Sequence, residues 1–358
     1  MLNLQQVEKA ARNFAGSGQR VTVETLGHGL IHQTYKVIPS NTEPAFVLQA
    51  INKNVFQKPV DIIANYLVVY EFLAKSGSNI RIPPPRYSIH GQPSWTDEEG
   101  NFWRATEFIP GSYSPLKAAT TQSAGEVADV FAGFTGALAE LDMSRLKEII
   151  PGFHNLEQRF LHFESAVNLG SIERLLKSTH LIAEFRNRKS LVVFYQFAKT
   201  SKDYPDRVMH HDCKISNILF DQQTHQVICP VDLDTVMPGK FFSDLGDMIR
   251  TMACTEDENS TAWESISMDE SFYKAIMKGY MGRAESILTP AEKNHIHFAG
   301  LIMIFMQGLR FLTDYLHGDV YYKIEYPEQN LNRALNQLIL LEKLENFLQV
   351  EYGLPSTS

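Results

Sequence analysis

The 358-residue chain has only three cysteines, Cys213, Cys229 and Cys254, an odd number with no close pairing. That argues against a disulfide-framed fold and suits a reducing, cytoplasmic setting. No run of lysine or arginine stands out and the formal net charge is −8, so a broad nucleic-acid footprint is not expected. Long apolar runs are missing as well. The most apolar stretch, "HFAGLIMIFMQGLRFL", is too short for a membrane span and carries Arg310. The opening "MLNLQQVEKAARNFAG" lacks the basic flank and apolar centre of a signal peptide and reads as an amphipathic helix. There is no internal repeat and no low-complexity tract. What remains is ordinary for a folded protein, 44% apolar and 21% charged, in a length that usually divides into two domains or lobes.

Strand signal fills the first hundred residues. "RVTVETLG" alternates, and "GLIHQTYKVI" and "AFVLQAI" follow, separated by the turn-like "PSNTEP". Residues 59 to 75 have a helical period and open on proline. "IPPPRYSIHGQPSWTDEEGNFWRATEFI" reads as two or three strands around glycine turns, and "PGS" at 110 to 112 is the best boundary or hinge. The remainder is mainly helical. "SAGEVADVFAGFTGALAELD" puts Val127, Phe131, Phe134, Leu138 and Leu141 on one face. Thr289, Pro290 and Glu292 form a capping-box signature that predicts one helix running to about His317, with Gly318 as its stop. The expectation is a small sheet-rich lobe, residues 1–109, and a larger helical lobe, residues 110–358.

One stretch inside the helical part is different. "HHDCKISNILF", residues 210 to 220, sets a polar cluster against an apolar run. "NILF" and "QVICPVD", joined by "DQQTH", read as a β-hairpin. Antiparallel pairing brings Asn217, at its start, towards Asp232, at its end, with Asp212 in the loop that feeds it. Two carboxylates and an amide oxygen are hard ligands suited to magnesium with bound phosphates. A zinc site from His210, His211 and Cys213 is rejected because the three are too crowded to wrap one tetrahedral ion.

His210 to Asn217 resembles the H-x-D-x-x-x-x-N catalytic loop of the kinase-like superfamily. The second element is Asp232-Leu233-Asp234 rather than Asp-Phe-Gly, and no Ala-Pro-Glu segment follows. Those departures resemble the small-molecule branch, the aminoglycoside phosphotransferase and choline kinase group. "HHDCKISNILF", "VDLDTVMPGKFFSDLGDMIR" and "GLRFLTDYLHGDVYY" look closest to bacterial N-acetylhexosamine 1-kinases. The resemblance implies an α+β, protein-kinase-like bilobal fold with a small antiparallel-sheet N-lobe and a larger, mostly helical C-lobe. It implies ATP and Mg²⁺ as cofactors and a small-molecule sugar as the other partner, with no nucleic acid and no membrane. Asp212 would accept or orient the substrate proton. Asn217 and Asp232 would hold magnesium, with Asp234 adding a direct or indirect contact. Asp244 or Asp247 would brace the loop from a helical first turn, and His210 would support it.

"LGHGLIHQTYKV" has the strand-turn-strand shape of a phosphate-covering loop, in which Gly27 and Gly29 permit close approach. His32 stands where a third glycine would be, and Gln49 stands where a kinase keeps its phosphate-pairing lysine. The resemblance puts Leu30, Thr34 and Gln49 beside the nucleotide. "TEFIPG", with Glu107 and Ile109, would be the hinge whose backbone meets adenine. Arg310 and Tyr321 match an arginine and a tyrosine that contact the sugar. Arg310 could instead pair with Asp314, one helical turn on. Three functions remain open on the sequence: an N-acetylhexosamine 1-kinase, a kinase of the same fold acting on choline, homoserine or an aminoglycoside, and a catalytically dead kinase fold used as a binding module.

Overall fold

The computed structural model describes residues 2–16, 18–27 and 31–357. Gly29 and Leu30 of the expected phosphate-covering loop lie outside the described residues. The chain forms two compact units, and the first is discontinuous: Met1–Ser114, Glu140–Ile150 and Ile218–Met237. The second holds Pro115–Ala139, Pro151–Asn217 and Pro238–Ser358. The single cut expected between residues 109 and 110 differs from this division. It placed the hairpin after Asn217 in the helical part, whereas the hairpin's backbone pairs within the first unit.

The first unit is built on an antiparallel sheet. Strands β1 (Val21–Thr25), β2 (Gln33–Pro39), β3 (Phe46–Ile51), β6 (Phe102–Glu107) and β4 (Pro85–Arg86) lie in that order, with β5 (Ser94–Thr96) also on β6. Strand periodicity sorts its side chains. Phe46, Leu48 and Ala50 of β3, with Trp103 and Ala105 of β6, pack against Val7, Ala10 and Phe14 of helix α1 (Leu4–Ala15). A reciprocal cap between Asn3 and Gln6 starts that helix. Ile51 and Phe102 turn to the other face, against Ile62 and Ile63 of α2 (Pro59–Lys75). Gln49 and Arg104 therefore share the α2 side, and the register sets them directly opposite.

Two distant segments complete this unit. The buried Asn65 of α2 donates to the carbonyls of Lys147 and Val236 and accepts the Lys147 N–H, at 2.8–2.9 Å. A second sheet pairs β9 (Ile218–Asp221) with β10 (Val227–Pro230) and with β7 (Ser112–Tyr113). The hairpin is thus present, and Ile218 is registered with Pro230.

The second unit is helical: α3 (Thr121–Ala137), α4 (Leu156–Leu169), α5 (Ile172–Lys177), α6 (Thr179–Asn187), α7 (Lys189–Thr200), α8 (Phe242–Met252), α9 (Glu270–Ala284), α10 (Pro290–Asn294), α11 (Phe298–Leu316) and α12 (Gln329–Tyr352). Val127, Phe131, Phe134, Leu138 and Leu141 are all buried. The helix expected to run unbroken from Pro290 is two helices, α10 and α11, parted by a turn at 295–297. The turn is fixed from outside. Tyr204 Oη bonds His295 Nδ1 at 2.7 Å, and Tyr273 Oη bonds His297 Nδ1 at 2.6 Å. Gly318 does stand just past the end, at φ 96°. Among the described residues no helix is long and apolar enough to cross a membrane.

Candidate active site

Both units carry polar clusters. In the helical unit the strand β8 (Arg207–Met209) feeds the loop of residues 210–214, and a 3-10 turn, Ile215–Asn217, closes it. His211 sits in the left-handed region at φ 66°, a conformation that needs support. Asp244, in the first turn of α8, supplies it: its two oxygens accept the N–H groups of His210 (2.9 Å) and His211 (2.8 Å). Ser243 Oγ lies 2.6 Å from His211 Nδ1. His210 is fully buried, edge-on to Phe131 and Phe134.

The braced loop orients Asp212. Its carboxylate accepts from Lys214 Nζ (2.9 Å) and Asn217 Nδ2 (2.8 Å). Burial opposes the charge, but the Lys214 ammonium and the Asn217 amide hold the carboxyl below its usual range. Asp212 is therefore an anion at neutral pH. Asn217 spends its amide nitrogen on both the carbonyl and the carboxylate of Asp212, which fixes which way the amide points. Asn217 is only 4% exposed, and its Oδ1 accepts no hydrogen bond from any described residue. An oriented, unspent amide oxygen beside an ionised carboxylate fits a hard divalent cation. Asp247, on the same face of α8, is buried and its carboxyl is pushed up by that burial against the pull of Arg250. Arg250 bonds Asp247 and Glu258, and Glu258 pairs in turn with Arg333. Cys213 is fully buried, and burial raises its thiol well above the usual range.

Arg310 lies in the same unit, on α11, and Asp314 is not its partner. Asp314 accepts the N–H groups of Val320, Tyr321 and Tyr322 and the Asn330 amide, and so ties down the segment after the helix. Arg310 donates to Gln307 Oε1 at 2.9 Å, and its guanidinium faces the rings of Phe153, Tyr322 and Tyr321 at 5.3, 5.7 and 5.9 Å. No carboxylate among the described residues pairs with it. A second arginine, Arg159, holds the Phe153 carbonyl with two nitrogens. Burial, then the Arg310 charge, lowers Arg159 to about 10. Tyr321 is 61% exposed. The sequence reading missed Arg159 and Phe153; an arginine in the first turn of a mixed helix gives no local signal.

In the sheet unit, Leu26 N–H closes the β1–β2 turn onto the Thr34 carbonyl at 2.9 Å, and Gly27 takes φ 72°. Gln49 sits between two neighbours: its Nε2 donates to Thr34 Oγ1 (3.1 Å) and its Oε1 accepts from Arg104 Nε (2.9 Å). Arg104 also pairs with Asp234, whose other oxygen meets His32 Nε2 at 2.6 Å. His32 Nδ1 accepts the Asn52 N–H, so the ring proton sits on Nε2 and is donated to Asp234. Burial disfavours the Asp234 charge, yet Arg104 and His32 hold its carboxyl at about 2. Asp232, two residues earlier, is left-handed at φ 60°. At the expected hinge, Glu107 carboxylate accepts from Arg86 (3.2 Å), Phe108 N–H reaches Ala45 O, and Ile109 O accepts from Ser112. The Ile109 N–H has no hydrogen-bond partner among the described residues. Arg104 was absent from the sequence reading, although a cation in the middle of the largely apolar "FWRAT" run was a signal.

An antiparallel-sheet N-terminal unit with returning segments and a largely helical second unit make a protein-kinase-like fold. Residues 22–282 match the phosphotransferase enzyme family, and the chain belongs to it. Solved structures of similar fold include a microcompartment-associated aminopropanol kinase, 14% identical over 97% of this chain and 98% of that one, at a TM-score of 0.64. The GDP complex of aminoglycoside 2'-phosphotransferase-IIIa is 14% identical over 94% and 99%, at 0.57. Choline kinase from Cryptosporidium parvum is 17% identical over 99% and 98%, also at 0.57.

Proposed function

We propose that this protein is an ATP-dependent kinase that transfers the γ-phosphoryl group to the anomeric hydroxyl of an N-acetylhexosamine. The observation that carries the phosphotransfer is Asp212, an ionised carboxylate held in place by Lys214 and Asn217 on a loop braced by Asp244. In the reaction the substrate hydroxyl gives its proton to Asp212 as its oxygen bonds to the γ-phosphorus, and the bond from that phosphorus to the leaving ADP oxygen breaks. Asn217 and Asp232 are the residues assigned to magnesium, which when bound would offset charge on the phosphoryl oxygens. Asp234, with both oxygens engaged by Arg104 and His32, is assigned to support rather than to direct ligation. Gly27, Thr34 and Gln49 are assigned to the phosphates. Glu107 and Ile109 are assigned to adenine, an assignment supported by the unspent Ile109 N–H.

The acceptor side supports a sugar. Arg310 and Arg159 are cations with no carboxylate partner among the described residues, set with Phe153, Tyr321 and Tyr322. Such a surface repels a cationic acceptor such as choline or an aminoglycoside. It suits hydroxyl and acetamido oxygens, which accept from guanidinium, and a sugar face, which packs on rings. The test is steady-state turnover with a panel of hexosamines, neutral hexoses, choline and an aminoglycoside, with products read by phosphorus NMR. An anomeric phosphate on an N-acetylhexosamine is expected. Phosphate on a primary hydroxyl, or turnover only with choline or an aminoglycoside, would overturn the substrate. No ATP turnover with any acceptor would overturn the kinase.

A further inference from the structure

A kinase of this pattern carries a lysine on its third strand, which pairs with nucleotide phosphates and with a glutamate on the following helix. Both halves of that pair are replaced here. The strand has Gln49, and the acidic residues of α2, Asp61 and Glu71, form no ion pair among the described residues. Gln49 is not idle, but its oxygen and one amide proton are already spent on Arg104 and Thr34.

A cation stands one strand away. Arg104 is opposite Gln49 in the β3–β6 register and on the same face of the sheet. It is 5% exposed. Its Nε and Nη1 are fixed by Gln49 and Asp234, while its Nη2 makes no hydrogen bond to any described residue. The Asp232 carboxylate acts on the same guanidinium electrostatically. Two of the guanidinium's three nitrogens are thus committed, and the third is left to donate to an anionic oxygen.

We infer that Arg104 is the phosphate-facing cation of the nucleotide site, moved from the third strand to its neighbour, with Gln49 and Asp234 as the positioning residues that aim it. This rests on the ATP-dependent reading above. It also explains why a glutamine is tolerated on β3. A lysine there would set a second cation directly against Arg104.

The experiment measures binding rather than turnover. Calorimetry would compare Mg-ATP, Mg-ADP and adenosine on the full-length protein and on Arg104→Lys, Arg104→Gln, Gln49→Lys and the double exchange Gln49→Lys/Arg104→Gln. Melting curves on each variant would report folding. Arg104→Lys is the variant least disruptive to Asp234. The expected result is a loss of roughly 10-fold or more in ATP and ADP affinity for each single variant, with adenosine affinity unchanged, since a charge-assisted hydrogen bond contributes that much. The double exchange should recover most of the ATP affinity that Arg104→Gln loses. Equal loss for ATP and adenosine, no loss for either, or a double exchange no better than Arg104→Gln would overturn the inference. Wild-type protein that binds neither ATP nor adenosine would instead overturn the kinase reading on which it rests.

Discussion

Protonating Asp234 would leave the Arg104 guanidinium buried without its counter-ion and would break the bond from His32. Its carboxyl titrates at about 2 in the folded protein, against about 3.9 for a free aspartate. The folded pKa is depressed, so this group adds stability above about pH 4 and loses it as pH falls from there towards 2. The linkage is on the order of 2 kcal/mol. Urea melts between pH 5 and 2.5 should show that acid-sensitive component in the wild type. Asp234→Asn should lack it and be less stable at pH 7. At the acceptor side, Arg310→Leu and Tyr321→Phe should each raise the KM for the sugar, by about 10-fold for the arginine, and leave Mg-ATP affinity unchanged. Arg159→Leu should do the same if its charge serves the sugar. Inhibition of nucleotide binding by any of the three, measured by calorimetry, would remove them from the acceptor site. Asp212→Asn should fold normally and turn over ~10²–10⁴-fold more slowly.

Among the elements, α8 does the most to shape the catalytic loop, and its approach to α11 is set by one small residue. A Cβ on Gly246 would lie 2.2 Å from the Ala299 carbonyl and 2.4 Å from Met303 Cγ. Gly246→Ala must therefore push the helix that carries Asp244 and Asp247. It should lower the melting temperature and slow turnover together, with a cost of roughly 1–3 kcal/mol. Asp244→Asn is gentler. It keeps one acceptor oxygen for two N–H groups, so turnover should fall more than stability, and Mg-ATP affinity should hold. Much of this was legible in the sequence. The apolar strand run "AFVLQAI" and the helical stripe from Val127 to Leu141 each mark a buried element, which local order alone can write. The break at 295–297 was not legible. No glycine or proline marks it, and the tyrosines that hold it come from residues 204 and 273. Likewise the i, i+4 spacing of Arg310 and Asp314 suggested a pair, but the backbone after the helix claims the carboxylate. Arg104 and Asp234 stand 130 residues apart, and no spacing rule connects them.

At the scale of the molecule, the sheet unit is sewn from three separate lengths of chain. Asn65, 1% exposed, gathers them, with hydrogen bonds to residue 147 and residue 236. Asn65→Leu would leave two carbonyls and an N–H without partners and should cost several kcal/mol in a chemical melt. The same stitching dictates when this unit can exist on the ribosome. After the first 114 residues emerge, the sheet has its strands but not its counter-ion, because Asp234 is still unmade while Arg104 already occupies β6. The nascent sheet must wait for more than a hundred further residues before that charge is neutralised, a non-local pairing that is slow to form. A ribosome stalled near residue 115 should expose a protease-sensitive chain, and one stalled beyond the last sheet segment a protected one. A nonsense codon between positions 105 and 234 would yield not a working half but an unbalanced cation seeking any acidic surface in reach.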